Sequence, residues 1–108
     1  MAVYVDNEQI PWRSKLWCHL VADSLDELHQ FAARLGLKRA WFQDRASYPH
    51  YDVTTTVRER ALVLGALPAR KRQMIASASL MRDELRASLA ATAAQPVLFE
   101  ESSLAEAA

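Results

Sequence analysis

Cysteine is almost missing from this sequence. Cys18 is the only one, so no internal disulfide can form and no multi-cysteine zinc site can be built. Set between Trp17 and His19 in an apolar run, it reads as a small buried hydrophobe rather than a nucleophile. Glycine is nearly as scarce, and Gly36 and Gly65 both fall where helices should stop. That leaves no glycine-rich phosphate loop and no Gly-x-Ser-x-Gly elbow. Net charge is absent too, because 13 basic residues cancel 13 acidic ones. No global field draws the chain to nucleic acid or an anionic membrane, and such binding would have to come from a local patch, so nucleic acid is not the favoured partner. No apolar run reaches the roughly 18 residues a membrane span requires, and the first residues lack the basic-then-apolar pattern of a leader. The expected compartment is the cytoplasm. What is present is a chain of 108 residues, 51% hydrophobic and 24% charged. That is the composition of one domain with one core, burying about 65% of its unfolded surface.

The patterning predicts an α/β or α+β fold: a small three- to four-stranded sheet, two packed helices and a long C-terminal helix. Residues 2–5 form a β-branched and aromatic run that Asp6-Asn7 should end. Residues 6–15 hold Pro11 and no consistent period, and at about ten residues they are too short for a usual helical crossover. The first two strands therefore either pair antiparallel or are joined by an unusual connection. An antiparallel pair would put Asp6 and Asp23 at opposite ends of the sheet; only a parallel one would unite them. Residues 16–22 read as a central strand with Leu16, Cys18, Leu20 and Ala22 on one face and Trp17, His19 and Val21 on the other. Covered on both sides, His19 would be at least partly buried and would need a partner for each ring nitrogen.

Ser24-Leu25-Asp26-Glu27 fits a capping box, and Leu25, Leu28, Phe31, Ala32 and Leu35 give the helix an apolar stripe that Gly36 closes. Residues 38–43 read as a third strand around Trp41 and Phe42, followed by a polar loop. Thr54 is a natural N-cap for a helix over residues 55–64, stopped by Gly65. Residues 66–69 are at best an edge strand, since Pro68 cannot donate to a ladder. Residues 70–92 form a long helix with Met74, Ala78, Met81, Leu85 and Leu89 at spacings of three and four, which Pro96 should end. The expected organisation is a core over residues 1–69, the helix over 70–95 and an acidic tail over 96–108. The helix is either part of the same domain or a surface for a second copy or another protein.

Candidate chemistry rests on residues at or near predicted strand ends and in the loops after them: Asp6, His19, Asp23, Gln43, His50, Tyr51 and Asp52. Imidazoles and carboxylates are natural ligands of zinc or manganese, and two histidines with an aspartate leave coordination positions for water and substrate. His19, His50 and Asp52 are the proposed metal ligands and catalytic residues, with Asp6, Asp23, Gln43 and Tyr51 as ligand-binding support. A histidine oriented by an aspartate could equally act as a general base without a metal. The plainer alternative makes His19 a satisfied core histidine and the aspartates caps or turn formers. No His-Glu-x-x-His spacing occurs. Arg70-Lys71-Arg72 places cations at a helix start, where the dipole disfavours them unless an anion is bound.

Several separated blocks carry a family resemblance: Met1-Ala2-Val3-Tyr4-Val5-Asp6, Cys18-His19-Leu20 with Asp23 and Glu27-Leu28, Trp41-Phe42-Gln43, His50-Tyr51-Asp52, and Arg60-Ala61 through Gly65-Ala66. Over residues 1 to about 68 the chain resembles the family catalogued as domain of unknown function 4031, small proteins of bacteria and bacteriophages. The resemblance implies that the polar blocks belong together, in a bacterial or phage-infected cytoplasm, and supplies no reaction or cofactor. The segment from Arg70 onward reads as an addition particular to this chain. Two functions follow as expectations. One is a His/Asp site for a divalent metal or phosphorylated small molecule, hydrolysing a phosphoester or nucleotide; the other is a non-catalytic interaction module that uses the long helix.

Overall fold

The computed structural model describes the backbone of residues 2–107 and the side chains of residues 2–91. In chain order the elements are β1 (Val3–Val5), β2 (Ile10–Trp12), β3 (Lys15–Ala22), α1 (Leu25–Arg34), β4 (Tyr51–Thr54), α2 (Thr55–Val63), β5 (Leu67–Pro68) and α3 (Lys71–Ala107), with a 3-10 turn at Arg39–Trp41. β3 organises the sheet. β1 pairs antiparallel with its C-terminal half, Val5 opposite Leu20, and β2 pairs antiparallel with its N-terminal end, Ile10 opposite Trp17. β4 pairs antiparallel with β3 from Trp17 to Leu20, while β5 runs parallel to β1. Leu20 is thus the register partner of both Val5 and Tyr51.

The sheet has five strands rather than three or four. β2 lies inside the predicted loop and is joined to β3 by Arg13 and Ser14, both at positive φ (49° and 64°). Such a two-residue turn suits the twist of a hairpin, but it usually announces itself with Asn-Gly or Asp-Gly, and here it does not. β4 was hidden because Thr54 serves twice, as the last strand residue and as the N-cap whose hydroxyl accepts from the Val57 amide. The predicted third strand around Trp41 is instead the 3-10 turn. Aromatic content favours a strand only where a partner strand packs against it. Trp41 has none and is 52% exposed, and only Gln43 forms a bridge, to His50.

The two shorter helices end as their glycines predict. Gly36 (φ 82°) and Gly65 (φ 111°) each follow the C-cap in a Schellman turn, with Leu37 N–H donating to the Ala32 carbonyl and Ala66 N–H to that of Ala61, both at 2.9 Å. At the start of α1, the Ser24 hydroxyl accepts from the Glu27 amide and donates to the Glu27 carboxylate, a variant of the predicted box. α3 does not stop at Pro96. Its helical assignment runs to Ala107 through Ala-, Leu- and Glu-rich flanks of high helix propensity. Whether Val97, Leu98 and Phe99 pack back lies outside the described side chains.

Register decides the layers. Val5, Cys18, Leu20, Tyr51 and Val53 share one face of the sheet and are buried with Leu28, Phe31, Ala32 and Leu35 of the α1 segment and Ala61 of α2. His19, Val21 and Asp52 point the other way, towards α3, which buries Met74, Ser77, Ala78 and Met81. The first turns of α3 are therefore core. Farther along, Leu89 is 68% exposed. No helix among the described residues is long and apolar enough to cross a membrane.

Candidate metal centre

Three strands place the site in one row across the sheet. Asp6 follows Val5 and continues the ladder, its amide donating to the His19 carbonyl at 3.1 Å. Asp52 of β4 is the register partner of His19 on the other side. His19 is therefore flanked by two aspartates through backbone pairing alone. His50, two residues before Asp52, projects to the same face by the strand period, and its bridge to Gln43 brings that side chain in as well. After Asp6 the chain swings out over His19, with Gln9 at φ 53°, and carries Glu8 to the rim.

Hydrogen bonding fixes the ring tautomers. Asp6 Oδ1 accepts from the His19 backbone amide at 2.8 Å, and Oδ2 lies 2.7 Å from His19 Nδ1. A carboxylate only accepts, so Nδ1 carries a proton and Nε2 is left to face Asp52 Oδ1 at 4.0 Å. His50 repeats the arrangement: Nδ1 donates to the Tyr48 carbonyl at 2.7 Å, leaving Nε2 at 3.1 Å from the same Asp52 oxygen. Two nitrogen lone pairs and an anionic oxygen thus converge, which is repulsive unless a proton or a cation lies between them. The rings meet edge to face, 5.0 Å between centroids. Gln43 Nε2 donates to Asp52 Oδ2 and fixes the carboxylate.

The charges follow from these contacts. Burial by itself would raise the Asp6 carboxyl, but hydrogen bonds from the His19 ring and amide hold it below its ordinary value of 3.8. The hydrogen bond to Asp6 raises the His19 imidazole above 6.5 against the opposing effect of burial, and the charges of Asp6, Asp52 and Glu8 add to it. Asp52 is lowered from 3.8, first by the hydrogen bond it accepts when His50 Nε2 also carries a proton, against burial, and then by the nearby imidazoles and Gln43.

His19, His50 and Asp52 offer ligand atoms within 4.8 Å of one another. Bonds of about 2.0–2.1 Å in tetrahedral geometry would set ligand atoms about 3.4 Å apart. The observed 3.1 and 4.0 Å bracket that spacing. Each ligand also has its orienting partner: Asp6 for His19, the Tyr48 carbonyl for His50 and Gln43 for Asp52. The two imidazoles open into a cavity of about 320 Å³, walled by Val21, Met74, Ile75 and Ala78 and rimmed by Glu8, Tyr48 and Lys71.

Of the residues singled out in the sequence, Asp6, His19, Gln43, His50 and Asp52 come together and two do not. Asp23 lies at the other end of the antiparallel pair, its amide donating to Ala2 and its Oδ1 accepting from buried Ser77 at 2.8 Å. Tyr51 is on the opposite face, 1% exposed, with its hydroxyl 2.9 Å from His29 Nδ1. Glu8 and the Tyr48 carbonyl were missed. Glu8 sits in a segment without period, and a backbone carbonyl has no sequence signature. The family model described as protein of unknown function (DUF4031) matches residues 3–84, which takes in the whole cluster and extends past Arg70 to Glu84 of α3. The start of α3 is thus not particular to this chain. No curated protein and no solved structure matches.

Proposed function

This chain belongs to the DUF4031 family of proteins of unknown function, so its chemistry must be argued from its own side chains, and we propose that it is a metal-dependent phosphoester hydrolase. His19 Nε2, His50 Nε2 and Asp52 Oδ1 hold a divalent cation. The observation that carries this reading is the pair of tautomers, both locked from behind so that both Nε2 atoms face one carboxylate oxygen. A core histidine needs a partner for each nitrogen; it does not need two rings aimed at one point. Two nitrogens and one oxygen suit zinc, manganese or ferrous iron, and leave positions for water and substrate. A bound cation would lower the pKa of its water and polarise a phosphoryl oxygen. Glu8, whose carboxylate lies 3.7 Å from His19 Nδ1 behind the metal-facing nitrogen, adds negative charge to that ligand, and Lys71 on the cavity rim adds a positive charge for the phosphoryl group.

The test is the melting temperature of metal-stripped protein with and without excess manganese or zinc. At a hundred times the dissociation constant the stabilisation is about 2.7 kcal/mol, a rise on the order of 10 °C for a domain of this size. His50→Ala should abolish it, and wild type should then hydrolyse bis(p-nitrophenyl) phosphate while the variant does not. No shift in either protein removes the metal from the mechanism. A second reading is favoured by exposed Leu80 and Leu89 on α3: a protein partner, or a second copy, docking along that helix. A monomeric chain by light scattering that captures no partner through α3 argues against it.

A further inference from the structure

We infer that the groove between loop 44–49 and α3 is a phosphate subsite, formed by Arg45, Arg82 and Arg86. The inference names the substrate class of the metal centre and rests on that reading. The substrate is a phosphate ester with a further phosphate beyond the scissile one, of nucleotide size or longer.

The groove encloses about 370 Å³, has Leu85 and Leu89 in its lining, and sets three arginines against a single aspartate, Asp44. None of the three arginines forms an ion pair among the described residues, where Arg58 with Glu59 is the one arginine pair. Arg82 and Arg86 are one helical turn apart and share a face of α3. The Arg82 guanidinium lies over the Tyr48 ring, 5.4 Å from its centroid, and its Nε is enclosed without a hydrogen-bond partner. A partly buried guanidinium with no carboxylate beside it is a positive charge that an anion would complete. If Arg82 served only to pack on Tyr48, the groove would not need two further arginines.

The groove and the metal cavity share a wall. Ala46 and Ser47 line both, and Tyr48 joins them: its ring carries Arg82 while its carbonyl holds His50 Nδ1. A ligand with one phosphate on the arginines and the next at the metal would cross that wall, and would tighten the residue that orients a metal ligand.

The experiment uses full-length metal-stripped protein with two probes, inorganic pyrophosphate by calorimetry and a fluorescein-labelled oligothymidylate by anisotropy. Wild type should bind, and the Arg45→Gln/Arg86→Gln variant, which alters only exposed side chains, should bind about tenfold more weakly or worse. For the oligonucleotide, the slope of log affinity against log salt should shrink by about 0.7 for each phosphate contact removed. Arg82→Gln should weaken binding likewise while its manganese-induced shift in melting temperature is kept. Tighter binding of pyrophosphate assigns a nucleotide-like ligand, and tighter binding of the oligonucleotide assigns a phosphodiester chain. Equal binding by wild type and the double variant overturns the subsite, whatever the metal does. Arginine-dependent binding without any manganese shift leaves the subsite standing and overturns the hydrolase.

Discussion

Asp6→Asn is the most informative single change, because it alters one atom and reverses a tautomer. Both Asp6 oxygens accept from His19, one from the backbone amide and one from ring Nδ1. Asparagine has one acceptor oxygen. If it serves the amide, its NH₂ faces Nδ1, and the ring relieves the donor–donor clash by moving its proton to Nε2. The nitrogen aimed at Asp52 then ceases to be a lone pair. Losing a charge-assisted hydrogen bond costs about 1.5–3 kcal/mol, so the metal-free variant should melt on the order of 10 °C lower. Losing the orienting carboxylate weakens metal binding about 10- to 100-fold. At a metal concentration a hundred times the wild-type dissociation constant, the stabilisation falls from about 2.7 to between about 0.4 and 1.4 kcal/mol. The manganese-induced shift should thus drop from about 10 °C to between about 2 and 6 °C. Differential scanning fluorimetry reads both effects, and nitrogen NMR of the His19 ring reads the tautomer. A variant with the full shift and Nδ1 still protonated would refute the reasoning.

Three other outcomes are expected. The Asp6 carboxyl is lowered, so its contribution holds above the ordinary 3.8 and is lost as pH falls through its folded value. The His19 imidazole is raised, so its contribution is complete below 6.5 and is lost as pH rises through its folded value. The metal-free protein should therefore lose stability towards alkaline pH just as metal uptake strengthens. His29, lowered chiefly by burial, carries the opposite sign, so the difference in melting temperature between wild type and His19→Gln is the readout; equal curves would discount the pair. Ser77→Ala should cost about 1–2 kcal/mol in urea unfolding by stranding Asp23 Oδ1, with the metal-induced shift unchanged because Asp23 lies outside the cluster. Met81→Ala should cost about 2–5 kcal/mol, since Met81 is fully buried; a loss below about 1 kcal/mol would mean that α3 is not core.

The legible parts of this fold are the local ones. Ser24 with Glu27, Thr54 with Val57, and glycines 36 and 65 each act within a few residues, so type and spacing reveal them. Period two along residues 16–22 identified the central strand for the same reason. The Arg13-Ser14 turn was not legible because positive φ there is imposed by the β2–β3 pairing rather than chosen by glycine or asparagine. Trp41 misled because strand propensity counts only where a partner strand exists.

The candidate site divides in the same way. Sequence by itself determined which histidines and carboxylates were candidates, that no phosphate loop or cysteine site competes with them, and that the start of α3 carries a buried stripe. It expected the candidates at or near strand ends and in the loops after them, whereas His19 lies within β3 and Asp52 within β4. It left open whether Asp6 and Asp23 would meet. Tertiary structure decided that they do not: antiparallel pairing of β1 with β3 put Asp6 beside His19 and sent Asp23 to the far end, and pairing of β4 with β3 set Asp52 opposite. The physical reason is that register is a relation between strands. Ladder hydrogen bonds between segments far apart in the chain set it, so a row of Asp6, His19 and Asp52 has no expression in the order of residues along one strand.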